Sequence, residues 1–176
     1  MKNTILKFGA ISGAIVAGVM LIAMVLNKDN SKIYFEYGMI IGYSSMLLAF
    51  SLIFVAIKNY RDKHLDGMIS FGKAFLICLG IAVIASVFYT VTWVIIYKNV
   101  YPTFMEDYGA YTLEKMRAAN KSAAEISKLQ SDIAMGKKLY STWPGLLGIT
   151  FMEIFWLGLV VSVICALILK RKPKAA

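Results

Sequence analysis

Apolar residues fill four long stretches of the chain, and polar residues gather between them. Crossing the hydrocarbon core of a bilayer takes about 20 apolar residues in a helix, and each stretch reaches that length. Inside these stretches, Lys7 and Glu153 are the only residues with a formal charge. Four such stretches favour helices over a barrel, and they predict spans at about residues 5–26, 38–57, 74–97 and 145–169.

The composition agrees with this interpretation. Of the 176 residues, 59% are apolar and 16% are charged, whereas a soluble domain is about half apolar and a quarter charged. Disordered, disulfide-stapled and ordinary soluble enzyme classes are therefore excluded. We predict an all-α fold, an integral membrane four-helix bundle that forms a single domain over residues 1–176 and has the lipid bilayer as a partner.

The first apolar stretch also has features of a cleaved signal peptide, because Lys2 and Lys7 give it a basic start. Its apolar run, from Phe8 to Leu26, is longer than the signal-peptide core of about 7 to 15 residues. No clear small-x-small cleavage site follows the run before Asn27. We therefore expect the stretch to remain as a span.

The basic residues indicate which way the spans cross the membrane. Four spans put both termini on one side, together with the segment between the second and third spans. That side holds ten Lys and Arg in about 30 residues, and the other side holds nine in about 58. Because the cytoplasmic side is the more basic one, we predict that both termini lie in the cytoplasm and that residues 98–144 lie on the opposite, extracytoplasmic side. Insertion and anionic lipid then explain the net charge of +9, and we expect no nucleic-acid partner.

Residues 98–144 form the longest segment outside the predicted spans. Pro102 can open a helix, and an amphipathic pattern with spacings of three and four follows until Asn120 breaks it. Ser122 and Glu125 have the form of a capping box, so we predict a second helix that begins there and ends near Gly136. The predicted inner faces are Phe104, Tyr108, Tyr111, Lys115 and Ala119 on the first helix, and Ile126, Leu129, Ile133 and either Gly136 or Lys137 on the second.

Each of these faces is too narrow to form a core alone, so the two helices must pack against another surface. One interpretation packs them on each other and on the ends of the spans, or lays them in the lipid headgroup layer. The other makes segment 98–144 a docking surface for a protein partner. On the opposite side, residues 58–73 are expected to form a short charged loop that turns at Gly67.

Small residues recur on one face of every span. In a bilayer, small residues let helix backbones approach closely, so these rows predict a compact bundle. A homo-oligomer stays open, formed through a row that no helix of the same chain covers. Cys78 and Cys165 are interpreted as small packing residues and not as a redox pair. The rows are Gly9, Gly13 and Ala17; Gly38, Gly42, Ser45 and Ala49; Cys78, Ala82, Ser86 and Thr90; and Gly158, Ser162 and Ala166.

Glu153 is the residue of the predicted spans whose transfer into the bilayer costs the most free energy. It lies eight positions inside the last span, so a rise of 1.5 Å per residue puts it roughly 12 Å below the outer end. An acidic group at that depth costs about 2.5 to 3.5 kcal/mol on insertion scales, and it should face the bundle interior or a wet cavity. The same depth holds the hydroxyls of Tyr43, Ser44, Ser45, Tyr89 and Thr90, and we expect these residues and Glu153 to form a polar intramembrane site.

Two interpretations of Glu153 stay open. Lys7 belongs to the opposite leaflet, so no basic partner is expected within the membrane, and burial favours the neutral acid. The first interpretation is a protonated glutamate whose hydrogen bonds tie three helices together. The second is a proton- or cation-responsive site that lines a small polar cavity, because intramembrane carboxylates often mark ion paths.

Four segments of the chain resemble a family of bacterial membrane proteins, the domain of unknown function 4199, which occurs mainly in Bacteroidota. The resemblance covers nearly the whole chain and implies a small single-domain inner-membrane protein with four spans. The family has no assigned activity, so the resemblance implies no catalytic residue. The segments are Tyr37-Gly-Met-Ile-Ile-Gly-Tyr-Ser-Ser-Met46, Ile57-Lys-Asn-Tyr-Arg-Asp62, Ile69-Ser-Phe-Gly-Lys-Ala-Phe75 and Thr150-Phe-Met-Glu-Ile-Phe155.

These features favour a protein that is not an enzyme. The sequence has no histidine-rich cluster, nucleophile elbow, P-loop or Cys-x-x-Cys motif, and we expect no catalytic residue, cofactor or metal. The leading hypothesis is an accessory or scaffold subunit that presents segment 98–144 to a partner. The alternative is a small proton- or cation-linked transporter or channel that uses Glu153.

Overall fold

The computed structural model describes residues 1–26 and 31–171, and six helices account for most of them. Four helices are long and apolar enough to cross a membrane, which confirms the predicted four-helix membrane bundle. The other two form a hairpin between the third and fourth of these long helices. The helices are α1 (Lys2–Leu26), α2 (Ser31–His64), α3 (Phe71–Ile95), α4 (Phe104–Ala118), α5 (Ala123–Tyr140) and α6 (Trp143–Leu169).

Helix α3 lies at the centre of the bundle, with α1 on one side and α6 on the other. Helix α2 packs mainly against α1 and α6. The half of the bundle nearer the chain termini is densely packed, because large side chains of α2 and α3 there are completely buried. They include Phe50, Ile53, Ile57, Ile77 and Ile81, each with 0% exposure.

Small residues bring α3 close to both of its neighbours, as predicted. A Cβ atom at Gly13 would lie 2.6 Å from the Phe88 ring, and one at Gly158 would lie 2.7 Å from the Ala82 Cβ. Real Cβ atoms do not approach other atoms this closely, so only glycine allows these backbone separations. The predicted row on α3, from Cys78 to Thr90, is buried along its whole length.

The predicted row of small residues on α2 forms a helix contact over only half of its length. Ala49 is fully buried, and its carbonyl accepts a hydrogen bond of 3.0 Å from the hydroxyl of Ser12 on α1. At Gly42, in contrast, an added methyl group would meet nothing within 4 Å, and one at Gly38 would meet only Tyr34 of the same helix. In the outer half of α2, the half nearer the hairpin, the turns around Gly38 and Gly42 therefore do not pack closely on a neighbouring helix.

Helix α2 is also longer than the predicted span. Its 34 residues extend about 51 Å at 1.5 Å per residue, so both ends project beyond the hydrocarbon core. The prediction of a loop over residues 58–73 is wrong, because the helix continues through the charged residues to His64 and α3 begins at Phe71. Gly67 does form the predicted turn, with φ at +79°.

The inner end of the bundle is closed by contacts between this turn and the end of α6. The Arg61 side chain is only 5% exposed, and it donates hydrogen bonds to the Asp62 carboxylate and to the last carbonyl of α6, at Leu169. Ile69 and Arg171 exchange two backbone hydrogen bonds. The α2–α3 turn and the end of α6 therefore lie on the same side, as four antiparallel spans require.

The segment between α3 and α6 folds into the two predicted helices. A short π-helical turn at Ile96–Val100 extends α3, and α4 then runs until Asn120 takes a positive φ. The Ser122–Glu125 capping box is present. The predicted end near Gly136 is wrong, because α5 continues to Tyr140. Gly136 lies inside this helix, at a close contact with α4. A Cβ atom at this position would lie 3.3 Å from the end of the Met105 side chain.

We expect Gly158→Ala to lower the free energy of unfolding by about 1–3 kcal/mol, because the added methyl group would overpack the contact with Ala82. Gly148→Ala is the matched control on the same helix, since nothing lies within 4 Å of that site. Unfolding in mixed detergent micelles, followed by circular dichroism, measures both. Equal stability of the two variants would contradict the packing described here.

Candidate functional site

A cavity of about 230 Å³ occupies the outer half of the bundle, where α2 stands away from its neighbours. Its walls come from α1, α2, α3 and α6, and α4 and α5 contribute side chains from outside the span region. Gly38 and Gly42 are part of the α2 wall. The predicted small residues of the outer half of α2 therefore border an empty volume and not a neighbouring helix.

Glu153 lies on the wall of this cavity. The next residue along α6, Ile154, is completely buried in the core, whereas Glu153 is exposed because it faces the space beside α2. The Tyr89 hydroxyl donates a hydrogen bond of 3.2 Å to the Glu153 carboxylate. This bond connects α6 with α3 but does not include α2, so the structure gives two tied helices where the sequence suggested three.

The other predicted site residues divide into two groups. Tyr43 and Ser45 line the cavity with Glu153 and Tyr89. The Ser45 hydroxyl, however, donates to the Gly42 carbonyl of its own helix, at 2.7 Å. The hydroxyls therefore do not converge on the carboxylate, and Tyr89 is the predicted residue that reaches it.

The predicted placement of Ser44 and Thr90 in this site is wrong. Ser44 is exposed and is not part of the cavity wall. Thr90 is buried, and its hydroxyl donates to the Ser86 carbonyl one turn earlier in α3. Equal depth in the membrane did not bring these two residues to the cavity, because depth says nothing about which way a helix face points.

Aromatic side chains enclose the outer end of the cavity, and the sequence pattern did not predict that they would lie there. Trp93 of α3 packs edge-to-face against Phe104 of α4, with ring centroids 4.8 Å apart. Phe104 stacks in turn on Tyr108, and all three line the cavity. The spacing of four that placed Phe104 and Tyr108 on one face of α4 was a usable signal, but the sequence did not show which element that face meets.

Polar atoms lie among these rings. The Trp93 indole nitrogen and the Thr150 hydroxyl are buried and make no hydrogen bond of ordinary geometry within the described residues. The Tyr140 hydroxyl at the end of α5 interacts with both of them. Burial raises the pKa of Tyr140, so this hydroxyl stays protonated at neutral pH and remains able to donate.

The hairpin of α4 and α5 is fastened to the projecting end of α2. The Glu36 carboxylate of α2 accepts hydrogen bonds from the Lys115 ammonium, at 2.7 Å, and from the Tyr111 hydroxyl. The carboxylate raises the pKa of both donors. A second ion pair joins Lys32 of α2 to Glu114, at 3.3 Å. The predicted inner face of α4 therefore packs on α2 and over the cavity.

The hairpin helices also pack on each other. A Cβ atom at Gly109 of α4 would lie 3.0 Å from the Ile133 side chain of α5, and Glu106 forms an ion pair of 3.4 Å with Lys137. The interpretation that the two helices pack together and against the span ends is thus confirmed. The contact residues on α5 include Ile133 and Gly136 from the predicted face.

The comparison with known families agrees with the fold and with the resemblance noted in the sequence. The model of the family described as "Protein of unknown function (DUF4199)" matches residues 7–171. The chain belongs to the DUF4199 family. The match contains α1 from residue 7 onward, the other three membrane helices, the hairpin and Glu153. No curated protein and no solved structure matches the chain.

In this DUF4199 protein we expect Glu153→Gln to change the free energy of unfolding by less than about 1 kcal/mol, because an amide oxygen still accepts from Tyr89 and interhelical hydrogen bonds in membranes are weak. Ile154→Ala is the matched control, and its cavity in the core should cost about 2 kcal/mol or more. Detergent unfolding measures both. If Glu153→Gln destabilises the bundle as much as Ile154→Ala does, the glutamate is a structural residue.

Proposed function

We propose that the protein is a non-enzymatic accessory or scaffold subunit of the bacterial inner membrane, with both termini in the cytoplasm. In this arrangement the α4–α5 hairpin faces the periplasm and binds a protein partner. The distribution of basic residues along the sequence supports the orientation. The attachment of the hairpin to α2 is the observation that carries the proposal.

The hairpin is held in a fixed position and yet leaves one helix free for contact. Ion pairs and aromatic packing fasten α4 to α2, while α5 has no buried residue. Met135 is 60% exposed and Leu139 is 41% exposed on this helix. A preformed surface binds without the entropy cost of ordering a flexible segment, so a rigidly mounted α5 suits partner recognition.

The packing of the inner half of the bundle supports this role over conduction by a single chain. Below the cavity, the side chains of Phe50, Ile53 and Ile81 fill the space between the helices. The cavity therefore ends inside the bundle and does not continue across it. A pocket with one closed end is suited to holding a molecule and not to passing one through.

We expect a photo-crosslinking amino acid at Met135 to give a discrete protein adduct in cells, because this position lies on the free face of the hairpin. The matched control is the same replacement at Trp156, which is 57% exposed on the apolar surface of α6 and should meet lipid. Gel mobility and mass spectrometry of the purified chain measure the adducts. A chain that forms no adduct from position 135 and purifies as a lone monomer would contradict the proposal.

A second candidate is a small proton- or cation-linked transporter or channel. The observation that favours it is the position of Glu153, a carboxylate on a cavity wall in the outer half of the bundle. Because the inner half is packed, this function requires a second chain or a rearrangement of α2 to complete a path. It predicts a proton or cation flux in proteoliposomes that Glu153→Gln abolishes. Absence of flux from the wild-type chain would exclude it.

A further inference from the structure

The cavity beside α2 combines an acidic group with an aromatic wall. Of the 19 residues that line it, eight are aromatic and come from α2, α3, α4 and α5. Glu153 is the only Asp, Glu, Lys or Arg among these described lining residues. The remaining wall is apolar or made of glycine and serine, so the cavity offers one carboxyl group among aromatic residues.

Glu153 has no cation to pair with in the described part of the chain. The five ion pairs there involve other carboxylates, and the hydrogen bond that the Glu153 carboxylate accepts comes from Tyr89. A bound cation favours the ionised form of a nearby acid. An ionised carboxylate has about four acceptor positions, and the Tyr89 hydroxyl uses one of them. An acid on a cavity wall with an open side is suited to a positively charged ligand.

The donor set identifies what kind of cation fits. Ca²⁺ takes six to eight oxygen ligands, and a single carboxylate among hydroxyls does not provide them. Aromatic faces instead attract ammonium groups through the negative potential above each ring, and aromatic cages bind quaternary ammonium ligands in this way. Tyr34, Tyr89 and Trp93 line the same cavity as Glu153.

The volume sets the size of the ligand. A cavity of about 230 Å³ corresponds to roughly eight water molecules at liquid density, and it exceeds the engineered cavity of about 150 Å³ that binds benzene. An ammonium group with a phenyl ring or several short alkyl arms is of this size. A bare ammonium ion would leave most of the aromatic wall without contact.

We infer that the cavity is a binding site for an alkylammonium ion with an apolar body, held by the Glu153 carboxylate and the surrounding aromatic faces. Such a ligand partitions between water and the membrane, which suits a site in the outer half of the bundle. The inference concerns binding alone and is independent of the accessory role. If the chain binds the ion but does not transport it, this inference holds and the transporter function is excluded.

The test uses the full chain in maltoside micelles and benzyltrimethylammonium as the probe, measured by equilibrium dialysis. Its charge does not depend on pH. We expect saturable binding of one ion per chain, weakened by about tenfold or more in Glu153→Gln. Asp132→Asn is the matched control, because Asp132 is an exposed carboxylate on α5, outside the cavity, and this variant should bind as the wild type does.

Two further measurements identify the basis and source of binding. Neopentylbenzene has the shape of the probe with carbon in place of nitrogen, and it should bind at least tenfold more weakly if the charge matters. Nanodiscs of phosphatidylethanolamine should compete with the probe if lipid ammonium groups occupy the site, whereas phosphatidylglycerol nanodiscs should not. Competition would assign the site to lipid, and its absence would assign it to a free organic cation.

Three results would overturn the inference. The first is the absence of saturable binding to the wild-type chain. The second is equal affinity of the wild type and Glu153→Gln, with the fold of the variant verified by circular dichroism. The third is equal affinity for the probe and its neutral analogue, which would make the cavity a general apolar pocket.

Discussion

In a bilayer, two apolar helices gain little by covering each other, because lipid tails are as apolar as leucine side chains. The contacts of α3 with α1 and α6 therefore depend on how closely the backbones approach. Gly13 and Gly158 allow separations that no other residue permits. The hydroxyls of Ser86 and Ser162, buried in the same contacts, donate to carbonyls of their own helices. The three helices thus form a tightly packed unit against which the rest of the chain is positioned.

Helix α2 packs on the bundle through its inner half and on the hairpin through its outer end, and the turns around Gly38 and Gly42 border the cavity. Its inner half contacts α1 through the hydrogen bond from Ser12 to Ala49 and buries Phe50 in the core. Its outer end is fastened to the hairpin by Glu36 and Lys115. Between these attachments, a Cβ atom added at Gly38 or Gly42 would meet no atom of another helix within 4 Å, and both glycines border the cavity. The cavity lies beside these glycines. Because Gly38 and Gly42 have no side chains to fill it, they help to determine where a ligand can lie.

The sequence predicted the features that depend on local pattern. Apolar length identified the four spans, and the spacing of small residues identified the contacts at Gly13 and Gly158. The Ser122–Glu125 cap was readable because both partners lie within four residues. The cavity was not predictable, since it depends on the position of α2 relative to α6 and on the packing of Phe104 of α4 against the end of the bundle. The depth of Thr90 likewise gave no information about its direction, and the residue bonds within its own helix.

The cavity and the hairpin are parts of one arrangement, because α4 belongs to both. Phe104 and Tyr108 line the cavity, while Tyr111 and Lys115 on the following turns hold α4 to α2. A molecule that fills the cavity therefore contacts the docked hairpin and stabilises it by mass action. Coupling of this kind is reciprocal, so a partner that holds α5 in its docked position would also strengthen binding in the cavity. Under the two proposals taken together, ligand binding in the cavity would therefore strengthen partner recognition by α5, and partner binding would strengthen ligand binding.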